Sequence, residues 1–325
     1  MNSKRTIPLV AVLLATTTLV GACGGTSGPL GSVPVTTKSP DPSVVQGSPD
    51  DTPAASDGST SGSSAEPSAS TDPMASPAPP ATTLIRAYLW LGGLPGSEGL
   101  VAVLREVPAT KSVATAAVNA LLAGPTKSEA SRAITTAVPA GSRLLGLTID
   151  GAVATVDLSS EFESGGGSAA VLTRLGQMVY TLTQFPTVKS VVFQIEGVTR
   201  TTFGSEGVVL DKPATRADYV ALLPDIWVDR PAFNAAIGNP AHVTGNADVF
   251  EATFRISMLD ASGKTIADQQ VMASCGSGCR GTFDVTIPYT VSKAQYGILR
   301  AYNLSAKDGT PESIHDERVW LTPAS

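Results

Sequence analysis

Residues 24–82 constrain the fold of this chain more than any other feature, because they offer almost nothing that a folded core can bury. Ser, Pro, Thr, Gly, Ala and Asp dominate the stretch. Such a composition cannot offset the conformational entropy lost on folding, so we expect a disordered tether with a root-mean-square span of roughly 40 to 45 Å. Folded structure must then come from the 243 residues at 83–325, which suffice for two ordinary domains. The boundary is predicted near Leu222-Leu223-Pro224, giving domains at 83–221 and 222–325.

The first 22 residues have the pattern of a cleaved secretion signal. Lys4 and Arg5 provide a basic start, and the apolar run Ile7–Leu19 follows them. This run is shorter than the roughly 20 apolar residues that cross a bilayer, so the sequence predicts a signal peptide at 1–22 rather than a membrane helix.

Cys23 is the predicted site of lipid attachment. The quartet Val20-Gly21-Ala22-Cys23 resembles a bacterial lipobox, in which cleavage occurs before a cysteine that carries diacylglycerol. Two acyl chains hold a protein on a membrane far more firmly than one chain does. The resemblance therefore implies a lipidated Cys23, a tether over 23–82 and a location outside the cytoplasm, on the outer face of the cell membrane. The alternative is an ordinary secretory signal that leaves Cys23 as an unpaired thiol.

Charge and composition exclude one broad class of partner. The formal net charge is −6, and the chain has no run of five or more basic residues. Binding of nucleic acid depends on clustered Lys and Arg, so no nucleic-acid partner is expected.

Cys275 and Cys279 form an even pair in a chain expected to be exported to an oxidising compartment. Gly276-Ser277-Gly278 between them must turn sharply to bring the two sulfur atoms together, and its two glycines make that turn easy. We expect a structural disulfide. A redox-active pair or half of a metal site are the alternatives, but no second Cys or His cluster exists to complete a tetrahedral site, so no metal and no cofactor are predicted.

The segment 83–221 mixes strands and helices. Strands are predicted at Leu84–Leu91 and Leu100–Val107, a helix from Ser112 to a stop at Gly124-Pro125, and a hairpin of Leu144–Ile149 and Ala152–Leu158 turning at Asp150-Gly151. A helix of about 17 residues, with Ser168 as its N-cap, carries one apolar stripe and ends before Pro186; the stripe is Val171, Leu172, Leu175, Met178, Val179 and Leu182. A strand with Val191, Phe193 and Ile195 on one face follows. Helices on one face of a small sheet give an α+β domain.

Five motifs in this order carry a resemblance to a known family. They are Leu104–Val107, Ala120–Pro125, Val138–Gly141, Val156–Phe162 and Tyr180–Phe185. Together they are similar to the GerMN domain of spore germination and sporulation lipoproteins, over about 130 residues. The resemblance implies a compact α/β module that is similar to the ring-building motifs of envelope complexes and is used for interaction. It brings no catalytic residues to this chain.

The segment 222–325 is predicted to be an all-β sandwich. Its seven strands are expected at Ile226–Asp229, His242–Gly245, Val249–Leu259, Thr265–Ala273, Thr282–Tyr289, Ile298–Leu304 and Arg318–Leu321, and the cysteine pair should lie at a hairpin tip. Val249–Ala252, Gly281, Phe283 and Lys307–Gly309 resemble the immunoglobulin-like domain that accompanies GerMN domains in bacterial lipoproteins. The cysteine pair is not a feature of that family as we know it.

Two further patterns in this second domain have weak functional interpretations. Gly276–Gly281 has the spacing of a dinucleotide fingerprint, but an alternating strand follows it instead of the helix that phosphate binding needs, so no nucleotide is expected. His315 stands in a charged run and is predicted to be a solvated strand end rather than a general base. His242 opens a strand, and no nucleophile motif accompanies it.

The best case for an enzyme rests on carboxylates. Asp157, Glu161 and Glu163 lie close together in sequence, and a cell-wall glycosidase needs only two such groups at a suitable separation. A polar cluster followed by Gly165-Gly166-Gly167 is the usual composition of a loop leading into a helix, and we favour that explanation. Our leading hypothesis is a non-catalytic envelope lipoprotein whose partners are the membrane, through the lipid, and an envelope protein or peptidoglycan. The alternatives are the glycan hydrolase and a carrier of a small ligand or lipid.

Overall fold

The computed structural model describes residues 81–204 and 207–324, which fall in one compact unit. The predicted signal peptide, Cys23 and the predicted tether up to residue 80 lie outside the described residues. The helices of the first domain are α1 (Val113–Leu122), α2 (Lys127–Ala130) and α3 (Ser168–Leu182). Its strands are β1 (Thr82–Leu91), β2 (Gly99–Pro108), β3 (Ile134–Thr135), β4 (Leu144–Asp150), β5 (Val153–Leu158), β6 (Ser190–Ile195), β7 (Val198–Thr199), β8 (Thr202–Phe203) and β9 (Val208–Val209). Short 3-10 helices cover Ser160–Glu163 and Arg216–Leu222.

The first domain is α+β, as predicted, but it is built on more than one sheet. Strands β2, β1 and β3 form one sheet in that order, and β4, β5, β6 and β7 form another. β5 and β6 run parallel, which requires a long crossover, and α3 supplies it. α1 and α3 contact each other and β1, so a single apolar core joins the helices to both sheets.

Two local details of this domain differ from the sequence prediction. The hairpin turn lies at Gly151 and Ala152, both with positive φ, one residue later than expected, because Asp150 still pairs with Val153. Helix α3 has Gly167 as its N-cap, so Ser168 is its first helical residue. The apolar stripe is buried except for Leu172, which is exposed.

Helix α3 also buries a polar stripe that the sequence analysis did not single out. The Gln177 amide donates to the Tyr88 carbonyl (3.1 Å), and the Thr181 hydroxyl accepts from the Tyr88 N–H (3.1 Å). Gln184, two residues beyond the end of α3, accepts from the Arg86 N–H (3.0 Å) and donates to the Arg86 carbonyl (2.7 Å). These side chains provide hydrogen-bond partners for backbone groups on the edge of β1 that no neighbouring strand pairs with. Buried backbone N–H and C=O groups require such partners.

The second domain is a β-sandwich. Its strands are β10 (Ile226–Arg230), β11 (Ala236–Ile237), β12 (Ala241–Ala247), β13 (Thr253–Leu259), β14 (Thr265–Met272), β15 (Gly281–Ile287), β16 (Gln295–Leu304) and β17 (Pro311–Leu321). A sheet of β10, β12 and β15 faces a sheet ordered β11, β17, β16, β13 and β14. Alternate residues of both sheets, among them Ile256, Met258, Leu299, Val243 and Ile287, form the core between them.

Three predictions for this domain were wrong in part. The expected strand Val249–Leu259 begins only at Thr253, because Phe250–Ala252 form a 3-10 turn. The last strand begins at Pro311 rather than Arg318, so the charged run belongs to β17. The cysteine pair does not lie at a hairpin tip, because β14 and β15 belong to different sheets and the loop between them crosses from one sheet to the other.

Candidate functional site

The junction between the two domains is built around strand β10. Ile226 and Val228 point into the core of the second domain, whereas Trp227 packs in the core of the first. The Trp227 indole N–H donates to the Leu100 carbonyl (2.8 Å), and its ring lies 5.5 Å from the ring of Tyr180. Because successive side chains of a strand point to opposite faces, β10 contributes side chains to both cores.

A partly buried polar cluster completes this junction. One Asp229 carboxylate oxygen accepts from the Arg86 guanidinium (3.0 Å) and from the Tyr88 hydroxyl (2.8 Å). Burial, with Asp229 beside it, raises the pKa of Tyr88, so this phenol stays protonated and donates. The Arg216 guanidinium lies over the Tyr180 ring at 4.6 Å, and burial raises the pKa of Tyr180 to about 12. The cluster links elements from both domains.

Backbone pairing adds to the same junction. The Phe233 N–H donates to the Ala102 carbonyl (2.8 Å), and the Phe233 carbonyl accepts from the Leu104 N–H (3.3 Å). The Phe233 ring is buried in the core of the first domain. Residues that follow β10 therefore return to β2, which adds backbone hydrogen bonds to the side-chain contacts of the junction.

The three carboxylates proposed for glycan hydrolysis are each engaged in a structural contact. Asp157 accepts from the Gly197 N–H (2.9 Å), and Glu163 pairs with Arg200 (3.1 Å). A hydrogen bond from Ser159 is the main reason that the pKa of Glu161 lies below its usual range. A general acid in a glycosidase needs a raised pKa, so the lowered pKa of Glu161 does not suit that role.

The two histidines have different environments. His242 is exposed, and its Nε2 lies 2.6 Å from the Asp284 carboxylate on the neighbouring strand β15. The prediction that His315 is a solvated strand end was wrong, because His315 and Glu317 are both 0% exposed and lie on the core side of β17. Their side chains are 3.1 Å apart. The period of two along the long strand turns both residues inward.

Cys275 and Cys279 are joined in a disulfide, with Cα atoms 5.9 Å apart. Strand β15 begins at Gly281, directly after the Gly276–Gly281 run, in the place where a dinucleotide site would need a helix. The described residues contain no group of three or more His, Cys, Asp or Glu side chains placed to hold a metal ion. Among them, too, no helix is both long and apolar enough to cross a bilayer.

Two open clefts flank the junction. One, of about 520 Å³, is lined mainly by apolar side chains that include Leu84, Phe185 and Ile237. The other, of about 550 Å³, lies beside Arg216 and Trp227 and is lined by short polar side chains of β12 and β15.

Comparison with known families identifies both domains. Residues 93–201 match the family model Germane, described as sporulation and spore germination. Residues 225–310 match Gmad2, described as the immunoglobulin-like domain of bacterial spore germination. The two matches follow each other in the order that the sequence motifs predict. No curated protein matches the chain.

Solved structures with a similar arrangement share little sequence with this chain. The first GerMN domain of the sporulation protein GerM from Bacillus subtilis is 21% identical, with 42% of this chain and 98% of that chain covered and a TM-score of 0.35. The tandem GerMN domains of the same protein are 15% identical, with 64% and 62% covered and a TM-score of 0.36. A putative lipoprotein from Clostridium perfringens is 17% identical, with 43% and 92% covered and a TM-score of 0.31. TM-scores this low bear on neither partner nor function.

Proposed function

We propose that this chain is a non-catalytic envelope lipoprotein. The premise is that it carries a Germane domain followed by the immunoglobulin-like domain of bacterial spore germination. Its two domains act by contact with an envelope protein or peptidoglycan. The observation that carries the proposal is the presence of both germination-associated domains, in order, in one chain. Whether the host forms spores plays no part in it.

Anchoring at Cys23 accounts for the N-terminal quarter of the chain. A lipobox-like quartet ends the signal pattern, and the Ser- and Pro-rich stretch after it is long enough to hold folded domains away from the membrane surface. In this proposal the lipid holds the protein at the membrane, and the length of the tether determines how far the folded domains extend from the membrane surface.

The surroundings of the carboxylates support action without catalysis. Asp157, Glu161 and Glu163 each accept from or pair with a nearby N–H, hydroxyl or arginine, and the pKa of Glu161 is lowered, whereas a general acid needs a raised pKa. These groups have the roles of ordinary loop and strand-end residues.

Metabolic labelling with a fatty-acid probe in the native host tests the anchor. We expect the mature protein to carry the probe and to sediment with membranes, and the Cys23→Ser variant to lose both properties. A mature wild-type protein without label, or one recovered from the cytosol with its signal peptide intact, would contradict the proposal.

A second experiment tests the absence of catalysis. Purified protein incubated with peptidoglycan should release no soluble muropeptides above the level of a heat-treated control. Release that disappears in the Asp157→Ala variant, with Asp150→Ala as an exposed carboxylate control, would establish the hydrolase instead.

A further inference from the structure

Three exposed apolar side chains lie at one end of the five-stranded sheet of the second domain. Phe250 is 67% exposed and Leu304 is 43% exposed, and both line a pocket of about 230 Å³. Met272 is 71% exposed and pairs in register with Thr253, which also lines the pocket. Clustered apolar exposure of this kind marks interaction sites more often than single exposed residues do.

The turn that presents Phe250 has an unfavourable backbone. Glu251 and Ala252 follow it with φ of 55° and 58°, in the left-handed region that residues other than glycine rarely occupy. Two such residues in succession persist only where surrounding structure enforces them, and such places are often functional.

The disulfide loop enforces this turn. The Ser277 hydroxyl accepts from the Glu251 N–H (3.0 Å), and the Ser277 N–H donates to the Val249 carbonyl (3.1 Å). Gly276 packs so closely on Ala252 that a Cβ at Gly276 would lie 2.2 Å from the Ala252 nitrogen. The loop closed by the cysteine pair therefore packs against the turn and hydrogen-bonds to it, and the Phe250 ring remains exposed to solvent.

The rim of the pocket is negatively charged. Glu251 and Glu312 are exposed there, and neither forms an ion pair with another described residue. Arg255 also lines the pocket, but its guanidinium is already held by the Asp268 carboxylate through Nε (3.1 Å) and Nη2. Glu312 accepts a hydrogen bond from the Asn303 amide (3.4 Å). Among the described residues neither carboxylate has a cationic partner, and both lie beside an apolar surface.

We propose that this pocket binds a segment of a partner protein in which a large apolar side chain lies beside lysine or arginine. The apolar side chain enters between Phe250 and Leu304, and the cation meets Glu251 and Glu312. Burial of the apolar group supplies affinity, and the charge pairing selects against acidic segments. The inference deepens the proposed function by giving the interaction module a contact surface, and it does not depend on acylation of Cys23.

Three synthetic peptides with blocked ends test the site, with backbone amide chemical shifts of the full-length protein as the readout. The sequences are Lys-Leu-Lys-Phe-Lys, its counterpart with Glu in place of Lys, and Lys-Gly-Lys-Ser-Lys. We expect only the first to shift the amides of residues 249–254 and 303–306, with a dissociation constant of about 1 mM or tighter. No shift with any peptide, or equal shifts with the acidic one, would overturn the proposal.

Variants locate the binding. Phe250→Ser should weaken binding of the first peptide by about tenfold or more, whereas Leu94→Ser, which removes a 77% exposed side chain in the first domain, should leave it unchanged. The double variant Glu251→Gln, Glu312→Gln should weaken binding about three- to tenfold and reduce its salt dependence. Equal loss with Leu94→Ser would refute the site. Such a failure would leave lipid labelling at Cys23 intact, so it can be told apart from a failure of the proposed anchor.

Discussion

Replacing Glu317 by glutamine should change how the stability of the protein depends on pH. Glu317 and His315 are fully buried 3.1 Å apart, and the second Glu317 carboxylate oxygen and the His315 Nδ1 have no hydrogen-bond partner among the described residues. Burial is the largest cause that raises the pKa of Glu317, and Asp316 and Asp229 add to it, while His315 opposes it. The folded protein therefore holds a proton on the Glu317 carboxyl group more strongly than the unfolded chain does.

The sign of the effect follows from that difference. An unfolded glutamate releases its proton near pH 4.3, so the contribution of Glu317 is complete below about that pH and is lost as the pH rises through the raised folded value. Between the two values the contribution falls by roughly 1 to 2 kcal/mol per pH unit. Glutamine has nearly the same shape and no charge to bury. Glu317→Gln should therefore be more stable than the wild type in alkaline solution, by about 1 to 3 kcal/mol.

Denaturant unfolding at about pH 5, 7 and 9, followed by tryptophan fluorescence, measures the difference. Glu312→Gln is the matched control, because Glu312 lies on the same strand but is exposed and does not contribute to the raised pKa of Glu317. The control should change stability by less than about 1 kcal/mol at each pH. A wild type that gains stability relative to Glu317→Gln as the pH rises would refute the reasoning.

Three further changes have defined outcomes. Gln177→Leu leaves two buried backbone groups without partners and should lower the free energy of unfolding by about 2 to 4 kcal/mol in denaturant titration, whereas Leu172→Ala on the exposed side of the same helix should cost less than about 1 kcal/mol. Replacing Cys275 and Cys279 by serine should cost about 2 kcal/mol, and a reductant should lower the melting temperature of the wild type but not of the variant. Asp229→Ala removes the carboxylate that accepts from both the Arg86 guanidinium and the buried Tyr88 phenol, so calorimetry should show the two domains unfolding at more widely separated temperatures than in the wild type; coincident shifts of both transitions would contradict this.

Local signals predicted most of the secondary structure. The apolar spacing from Val171 to Leu182 predicted α3, and the stop at Gly124-Pro125 predicted the end of α1. Both depend on residues within a few positions of each other, so the information is present in a short window. The hairpin turn was displaced by one residue, because strand pairing kept Asp150 in register with Val153.

The candidate sites were much less predictable. Phe250 was assigned to a strand, and nothing in its neighbourhood along the chain indicates that the loop at 274–280 bends the backbone there. His315 was read as solvated because its neighbours are charged, although the charges of Asp316 and Arg318 point outward and leave its own side chain inside. One signal was available and unused: Gln177, Thr181 and Gln184 repeat at helical spacing beside the apolar stripe.

Composition and short-range pattern by themselves determined the class of each domain and the order of the two domains. Those properties depend on how much apolar surface a segment carries and on the spacing of its apolar residues, and both can be read directly from the sequence. The tertiary structure alone decided that Trp227 belongs to the core of the other domain, that Glu317 is buried and that Phe250 is exposed. These outcomes depend on which distant elements cover a side chain, and they arise only once the sheets and helices have packed together.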